Sequence, residues 1–301
     1  MRQFLQSRFA NTGVALAMAR KQIRSSDTLP SLAGGNQGVV GTAFDYRLRY
    51  YWGVTPSGET VAGGGADVIA GSQWLKDPDS ARRIQDLTQR FFDEMDSALD
   101  ASPPMGRRLN SADEAKLAHY CCVLAMFEVL FRAGLTPYSP LVGPDAVTVI
   151  ATMSSVTDLL ALVNPAWVDD LCALSWRFYD TQAHLLDLPA VLNPTFEGSA
   201  AVGGADADLV LDRCLLELKT TVKPRVDGVW IHQLLGYALL DYSDLHRIDA
   251  IGVYLSRQGV LLRWSLPELL ADLTGDTEPV DLLSLRQEFR AVVEGRRSRQ
   301  I

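Results

Sequence analysis

Between positions 203 and 221 the chain reads GGADADLVLDRCLLELKTT. The side chains there that can do chemistry are the carboxylates of Asp206, Asp208 and Glu217 and the amine of Lys219. They lie in or beside two short apolar runs, Leu209-Val210-Leu211 and Cys214-Leu215-Leu216, separated by Asp212-Arg213. That is the pattern of a β-hairpin with Asp212 in the turn. Charge inside a strand is costly unless it is partnered or used. Residues two apart on a strand share a face, so Glu217 and Lys219 point the same way, as do Asp206 and Asp208. With the turn at Asp212-Arg213, Asp208 stands roughly opposite Glu217, with the lysine one step along.

Two converging carboxylates repel and tend to hold a proton between them. A divalent cation removes that conflict. Carboxylate oxygens suit Mg²⁺ or Mn²⁺, which keep several waters and accept phosphate oxygens. A neighbouring lysine can orient the attacking water or offset charge building on a phosphate. Together these parts serve metal-assisted hydrolysis of phosphodiesters. A plainer reading stays open: Glu217 and Lys219 form a salt bridge at a sheet edge, with Asp208 in the loop leading into its strand. Asp206 is either a further ligand or a partner of the backbone at the Gly203-Gly204 turn; the turn role is preferred.

The elements that must position these groups follow from the surrounding pattern. In WIHQLLGYALLDY, Ile231, Leu234, Leu235, Ala238 and Leu239 mark the apolar face of an amphipathic helix. Gln233 and Tyr237 form an i, i+4 pair on the edge beside that face. AVLNPTF, RIDAIGVYLSR and VLLRWSL read as further strands, with a turn at Arg257-Gln258-Gly259 and a closing helix at about 281–295. Upstream, residues 1–37 are mixed. Phe44, Leu48, Tyr51 and Trp52 recur at helical spacing up to Gly53. The stretch 54–77, with its run Gly63-Gly64-Gly65, reads as a loop. From 78 to 190 the pattern is helical, with a capping box at Ser111–Glu114 and helices at about 145–163 and 166–184. The expected fold is α/β, in one domain spanning 1–301. Within it, 38–53 is the first core helix, 78–190 a helical insertion, 190–265 the core sheet and helix, and 266–301 a C-terminal helical segment.

The order Asp208, then Glu217-Leu218-Lys219, then Gln233 and Tyr237 in HQLLGYALL resembles the PD-(D/E)XK nuclease superfamily, in its RecB-like and lambda-exonuclease-like branch. The resemblance implies a restriction-endonuclease-like mixed central sheet flanked by helices. It implies that Asp208 and Glu217 hold Mg²⁺ or Mn²⁺, that the Leu218 carbonyl adds a ligand, and that Lys219 serves the hydrolytic step. Gln233 and Tyr237 would support the site and the nucleic-acid backbone. The family also places an acid on its first core helix, often behind a glycine. Gly41 and Asp45 fit this loosely, and an i, i+4 pair of Asp45 with Arg49 is the alternative. Ala207 stands where the superfamily's naming proline would be. The likeness covers 190–265 and 38–52 and does not extend to the insertion, expected to be a substrate-selecting wall or a protein-docking surface. Lys223 and Arg225, just after the active-site strand, either meet phosphates or are solvated loop charges. The activity implied is a metal-dependent nuclease acting on nucleic acid, DNA above all, in a setting such as DNA repair or phage defence. The alternative is a non-catalytic nuclease-fold module that binds nucleic acid or a partner protein.

Composition bounds these expectations. The 301 residues carry a formal net charge of -8, so nucleic-acid binding would need a local basic surface. Cys121, Cys122, Cys172 and Cys214 contain no C-x-x-C pair and read as buried thiols of a reducing cytosol. The start lacks a secretory core, and no run of 18 apolar residues occurs. A cytoplasmic protein without a membrane span is expected. His119, His184, His232 and His246 lack zinc spacing, and Gly35, Gly38 and Gly41 have no following Lys-Ser/Thr of a P-loop. Arg47, Arg49, Tyr50, Tyr51 and Trp52 read as a core-packing face rather than a base-stacking platform.

Overall fold

The structure, a computed structural model, describes residues 1–24, 26–34, 37–71, 75, 78–134, 150–275 and 280–297. The chain divides into two compact units, Met1–Leu29 with Asp187–Ile301, and Pro30–Leu186. The chain opens on α1 (Arg2–Arg8) and α2 (Gly13–Ile23), in the stretch whose sequence is mixed; both belong to the first unit.

The second unit is helical. It contains α3 (Gln37–Arg49), α4 (Val61–Ala70), α5 (Pro78–Ala101), α6 (Ser111–Ala133), α7 (Val156–Leu160) and α8 (Pro165–Gln182). It therefore starts well before residue 78 and takes in α3, the helix expected to open the sheet core. The buried apolar face of α3, with Val39, Val40, Ala43, Phe44 and Leu48, is joined there by a buried ion pair. Arg47 and Glu114 are both fully buried, and the guanidinium donates to the carboxylate through Nε at 2.7 Å and Nη2 at 2.9 Å. A buried arginine is tolerated only when so matched, and this pair commits the inner face of α3 to α6. Glu114 is thus not the far end of a capping box. The cap is Asn110, one residue earlier than expected, whose side chain accepts the N–H groups of Ala112 and Asp113, worth about 1 kcal/mol. Tyr50 and Tyr51 are buried as well, so the aromatic face of this segment is core.

The glycine run expected to be a loop lies in α4. A Cβ on Gly65 would come within 1.8 Å of the Phe127 carbonyl oxygen, and one on Gly63 within 2.1 Å of the Gly58 carbonyl oxygen. Gly65 thus lets α4 lie backbone-close to α6, and Gly63 lets it close on the turn at Gly58, demands invisible to local pattern. The helix expected at about 145–163 is shorter over its described part. Ser155 and Asp158 form a reciprocal capping box that starts α7 at Val156; residues 145–149 lie outside the described residues.

The first unit is α/β. Its strands are β1 (Ala190–Leu192), β2 (Leu209–Leu211), β3 (Cys214–Lys219), β4 (Ala250–Leu255) and β5 (Val260–Ser265). Helix α9 (Gly228–Leu240) joins β3 to β4, and α10 (Leu266–Thr274) and α11 (Leu282–Arg297) close the chain. The sheet runs in sequence order, antiparallel throughout except for the parallel pair β3–β4. That one parallel pair requires a crossover, and α9 supplies it. All five apolar residues predicted for the inner face of α9 are buried, in one cluster with Leu215, Ile251, Val253 and Leu255 of the sheet and with residues of α1, α2, α10 and α11. Helices thus flank a mixed sheet. Among the described residues no helix is long and apolar enough to cross a membrane.

Candidate active site

The β2–β3 hairpin turns where the sequence indicates. Leu211 pairs with Cys214, leaving Asp212 and Arg213 as the two-residue turn. Both have positive φ, 43° and 67°, the left-handed pair a type I′ turn needs. Arg213 is secured there by donating to the Arg247 carbonyl and by an ion pair with Asp249. Leu209 pairs with Leu216 at the other end, so one step further Asp208 faces Glu217. The Asp208 carbonyl accepts the N–H of Asn193 and so turns toward β1. Opposite Glu217 it therefore makes the pair type in which side chains approach most closely.

Asp208 Oδ2 accepts the N–H of Leu218 at 2.6 Å. A residue in a strand turns its N–H and C=O to the same neighbour, so the Leu218 carbonyl faces the same side. Glu217 is almost wholly buried. Its Oε1 accepts from Lys219 Nζ at 2.6 Å and from Gln233 Nε2 at 3.1 Å. The same Nε2 lies 2.9 Å from the Tyr237 hydroxyl. Burial, first, and the charges of Glu217, Asp208 and Asp206 push the Tyr237 phenol up to about 12, while the hydrogen bond from Gln233 acts the other way. Tyr237 also stacks on Phe196, ring centres 5.7 Å apart.

The structure thus brings Asp208, Glu217, Leu218, Lys219, Gln233 and Tyr237 together. Asp206 lies at an isolated bridge to Thr195, close enough for its charge to reach the Tyr237 phenol. Lys223 and Arg225 are exposed in the loop between β3 and α9, with the Lys223 N–H bonded to Thr221 Oγ1. Asp45 is in the helical unit, where its carboxylate pairs with Arg49, one turn on along α3. The i, i+4 pair offered as its alternative role is formed. His232 Nε2 donates to the Phe9 carbonyl, 3.0 Å away, and so ties α9 to the chain start. Among the described residues, no group of three or more His, Cys, Asp and Glu side chains is gathered as a metal site.

Two neighbours of Lys219 escape a sequence reading. Ser256 donates both its N–H and its hydroxyl to the Lys219 carbonyl, at 3.1 and 3.2 Å, fixing the end of β3. Trp230 places its ring 5.5 Å from Lys219 Nζ. Its spacing from Gln233 and Tyr237, three and seven residues, could have flagged it as sharing their face of the helix.

Comparison with protein-family models, with curated proteins and with solved structures returns no match.

Proposed function

We propose that the sheet unit carries a metal-dependent nuclease site that hydrolyses phosphodiester bonds, with DNA the favoured substrate. The observation that carries this reading is the opposition of Asp208 and Glu217 on neighbouring strands, with Lys219 and Gln233 converging on Glu217. The element order supports it: an acid at the entry to the first strand of a hairpin, E-x-K on its second strand, and Q-x-x-x-Y on the following helix, as in the PD-(D/E)XK superfamily.

The residues present fit a divalent cation. Two carboxylates and the Leu218 carbonyl form a hard-oxygen donor set. Asp208, Glu217 and Leu218 would hold Mg²⁺ or Mn²⁺, which supplies Lewis-acid stabilisation of charge on the phosphate oxygens. Lys219 brings a positive charge beside the carboxylates, where it can orient the attacking water and offset phosphate charge. Gln233 holds the Glu217 carboxylate and the Tyr237 hydroxyl in one chain of hydrogen bonds, limiting the orientations either can take. Lys223 and Arg225 supply exposed positive charge in the loop just after the strand end.

A second reading is favoured by one observation. Lys219 already neutralises Glu217 directly, as it would in a non-catalytic nuclease-fold module that binds nucleic acid or a protein. Incubation with linear, nicked and single-stranded DNA in Mg²⁺, Mn²⁺ or EDTA separates the two. The nuclease reading expects cleavage with either metal, none in EDTA, and loss of cleavage in Lys219→Ala. No cleavage with either metal supports the module; equal cleavage by wild type and Lys219→Ala marks a contaminant.

A further inference from the structure

Lys219 has a neighbour outside the motif that the resemblance supplies. Its Nζ lies 5.5 Å from the Trp230 ring centre, within the roughly 6 Å over which an ammonium is drawn to an indole face. Trp230 is half-buried against the apolar core and lies on the same stripe of α9 as Gln233 and Tyr237. One helix face therefore presents Trp230 to Lys219, Gln233 to Glu217, and Tyr237 to Gln233.

The lysine side chain is a flexible four-carbon stem ending in a strongly hydrated charge. Its hydrogen bond to Glu217 depends on the carboxylate it shares with the site. A cation engaging Glu217 weakens that attraction and repels the ammonium directly. The attraction to Trp230 comes from the ring quadrupole and does not pass through the carboxylate. We infer that Trp230 is a positioning residue that keeps Lys219 over the site while Glu217 is engaged by a divalent cation. The cation at Glu217 and the consequence for catalysis rest on the nuclease reading; the Lys219–Trp230 contact does not.

The test uses the full chain, wild type and two variants. Trp230→Phe keeps an aromatic face, and Trp230→Leu keeps apolar bulk without one. The chain's lysines are only Lys21, Lys76, Lys116, Lys219 and Lys223, so ¹³C-lysine labelling gives a simple spectrum in which Lys219→Met assigns the Lys219 signal. Without DNA, the ε-methylene protons of Lys219 should resonate upfield of the other lysines through the indole ring current. They should stay upfield on saturation with Mg²⁺ and return to the ordinary position in Trp230→Leu. In Mg²⁺-dependent DNA cleavage, Trp230→Leu should lower kcat about tenfold with KM little changed, the signature of an interaction made in the transition state, and Trp230→Phe should restore most of it. An unshifted Lys219 signal, a signal that loses its shift when Mg²⁺ is added, or a wild-type kcat in Trp230→Leu each overturns the inference. If wild type cleaves nothing while Mg²⁺ perturbs the Glu217 signals and the Lys219 shift survives, the tether stands and the nuclease reading falls; a shift that survives with no Mg²⁺ bound overturns the inference.

Discussion

Asp208 and Leu218 are joined by a hydrogen bond of 2.6 Å from the backbone N–H of one to the carboxylate of the other. The bond extends the β2–β3 hairpin one step past its last paired residues, Leu209 and Leu216. The acid that the functional reading needs therefore also has a structural duty, and the two can be separated chemically.

Asp208→Asn keeps an oxygen that can accept the Leu218 N–H but removes the charge. It should keep stability within about 0.5 kcal/mol of wild type while abolishing metal-dependent cleavage. Asp208→Ala leaves the N–H without that acceptor and should lose a further ~1 kcal/mol. Urea unfolding compared with a cleavage assay checks the pair; equal destabilisation by both variants would refute the assigned bond.

Tyr237 gives a prediction in alkaline solution. Its phenol is raised in the folded protein to about 12, by burial first, from an ordinary value of 10.0. A group whose folded-state value lies above its unfolded one adds stability that is complete below the lower value and disappears as pH climbs through the upper. Wild type should thus lose stability relative to Tyr237→Phe between about pH 10 and about pH 12, with the difference constant at lower pH. Denaturant midpoints of both proteins across that range measure it, and parallel curves would count against a buried phenol beside three carboxylates.

The glycines of α4 should respond in a graded way. Gly65→Ala places a methyl 1.8 Å from the Phe127 carbonyl oxygen, so α4 must move off α6, at about 3 kcal/mol or more. At Gly64 the clash is with the Phe131 ring, 2.6 Å away; that side chain is 54% exposed and can turn aside, so Gly64→Ala should change stability by less than about 1 kcal/mol. Gly38→Ala meets nothing within 4 Å among the described residues and should be neutral or mildly stabilising. Equal effects at Gly64 and Gly65 in urea unfolding would contradict close α4–α6 packing.

The hairpin, its turn and the inner face of α9 were legible because each follows from a short local period. Leu209–Leu211 and Cys214–Leu216 are short apolar runs on either side of a two-residue polar turn, and Ile231 to Leu239 repeats at helical spacing. The opposition of Asp208 and Glu217 then follows from counting outward from Asp212-Arg213. What stayed hidden depends on partners distant in the chain. Arg47 meets Glu114 from 67 residues away, and that pair, with the buried apolar face of α3, packs Asp45's helix within the helical unit. The run Gly63-Gly64-Gly65 has loop composition, yet it is helical, packed against the Gly58 carbonyl, the Phe131 ring and the Phe127 carbonyl in turn. Trp230 was overlooked because its partner, Lys219, lies on a strand that only the crossover brings beneath it.

The account turns on Asp208 and Glu217 jointly holding a divalent cation. Equilibrium Mn²⁺ binding, read by the paramagnetic resonance of the free ion, tests this for wild type, Asp208→Asn and Glu217→Gln. Wild type should remove Mn²⁺ from solution in proportion to protein, and both variants should leave it free at the same concentration. Absence of uptake by wild type at saturating Mn²⁺, or equal uptake by all three proteins, would contradict it.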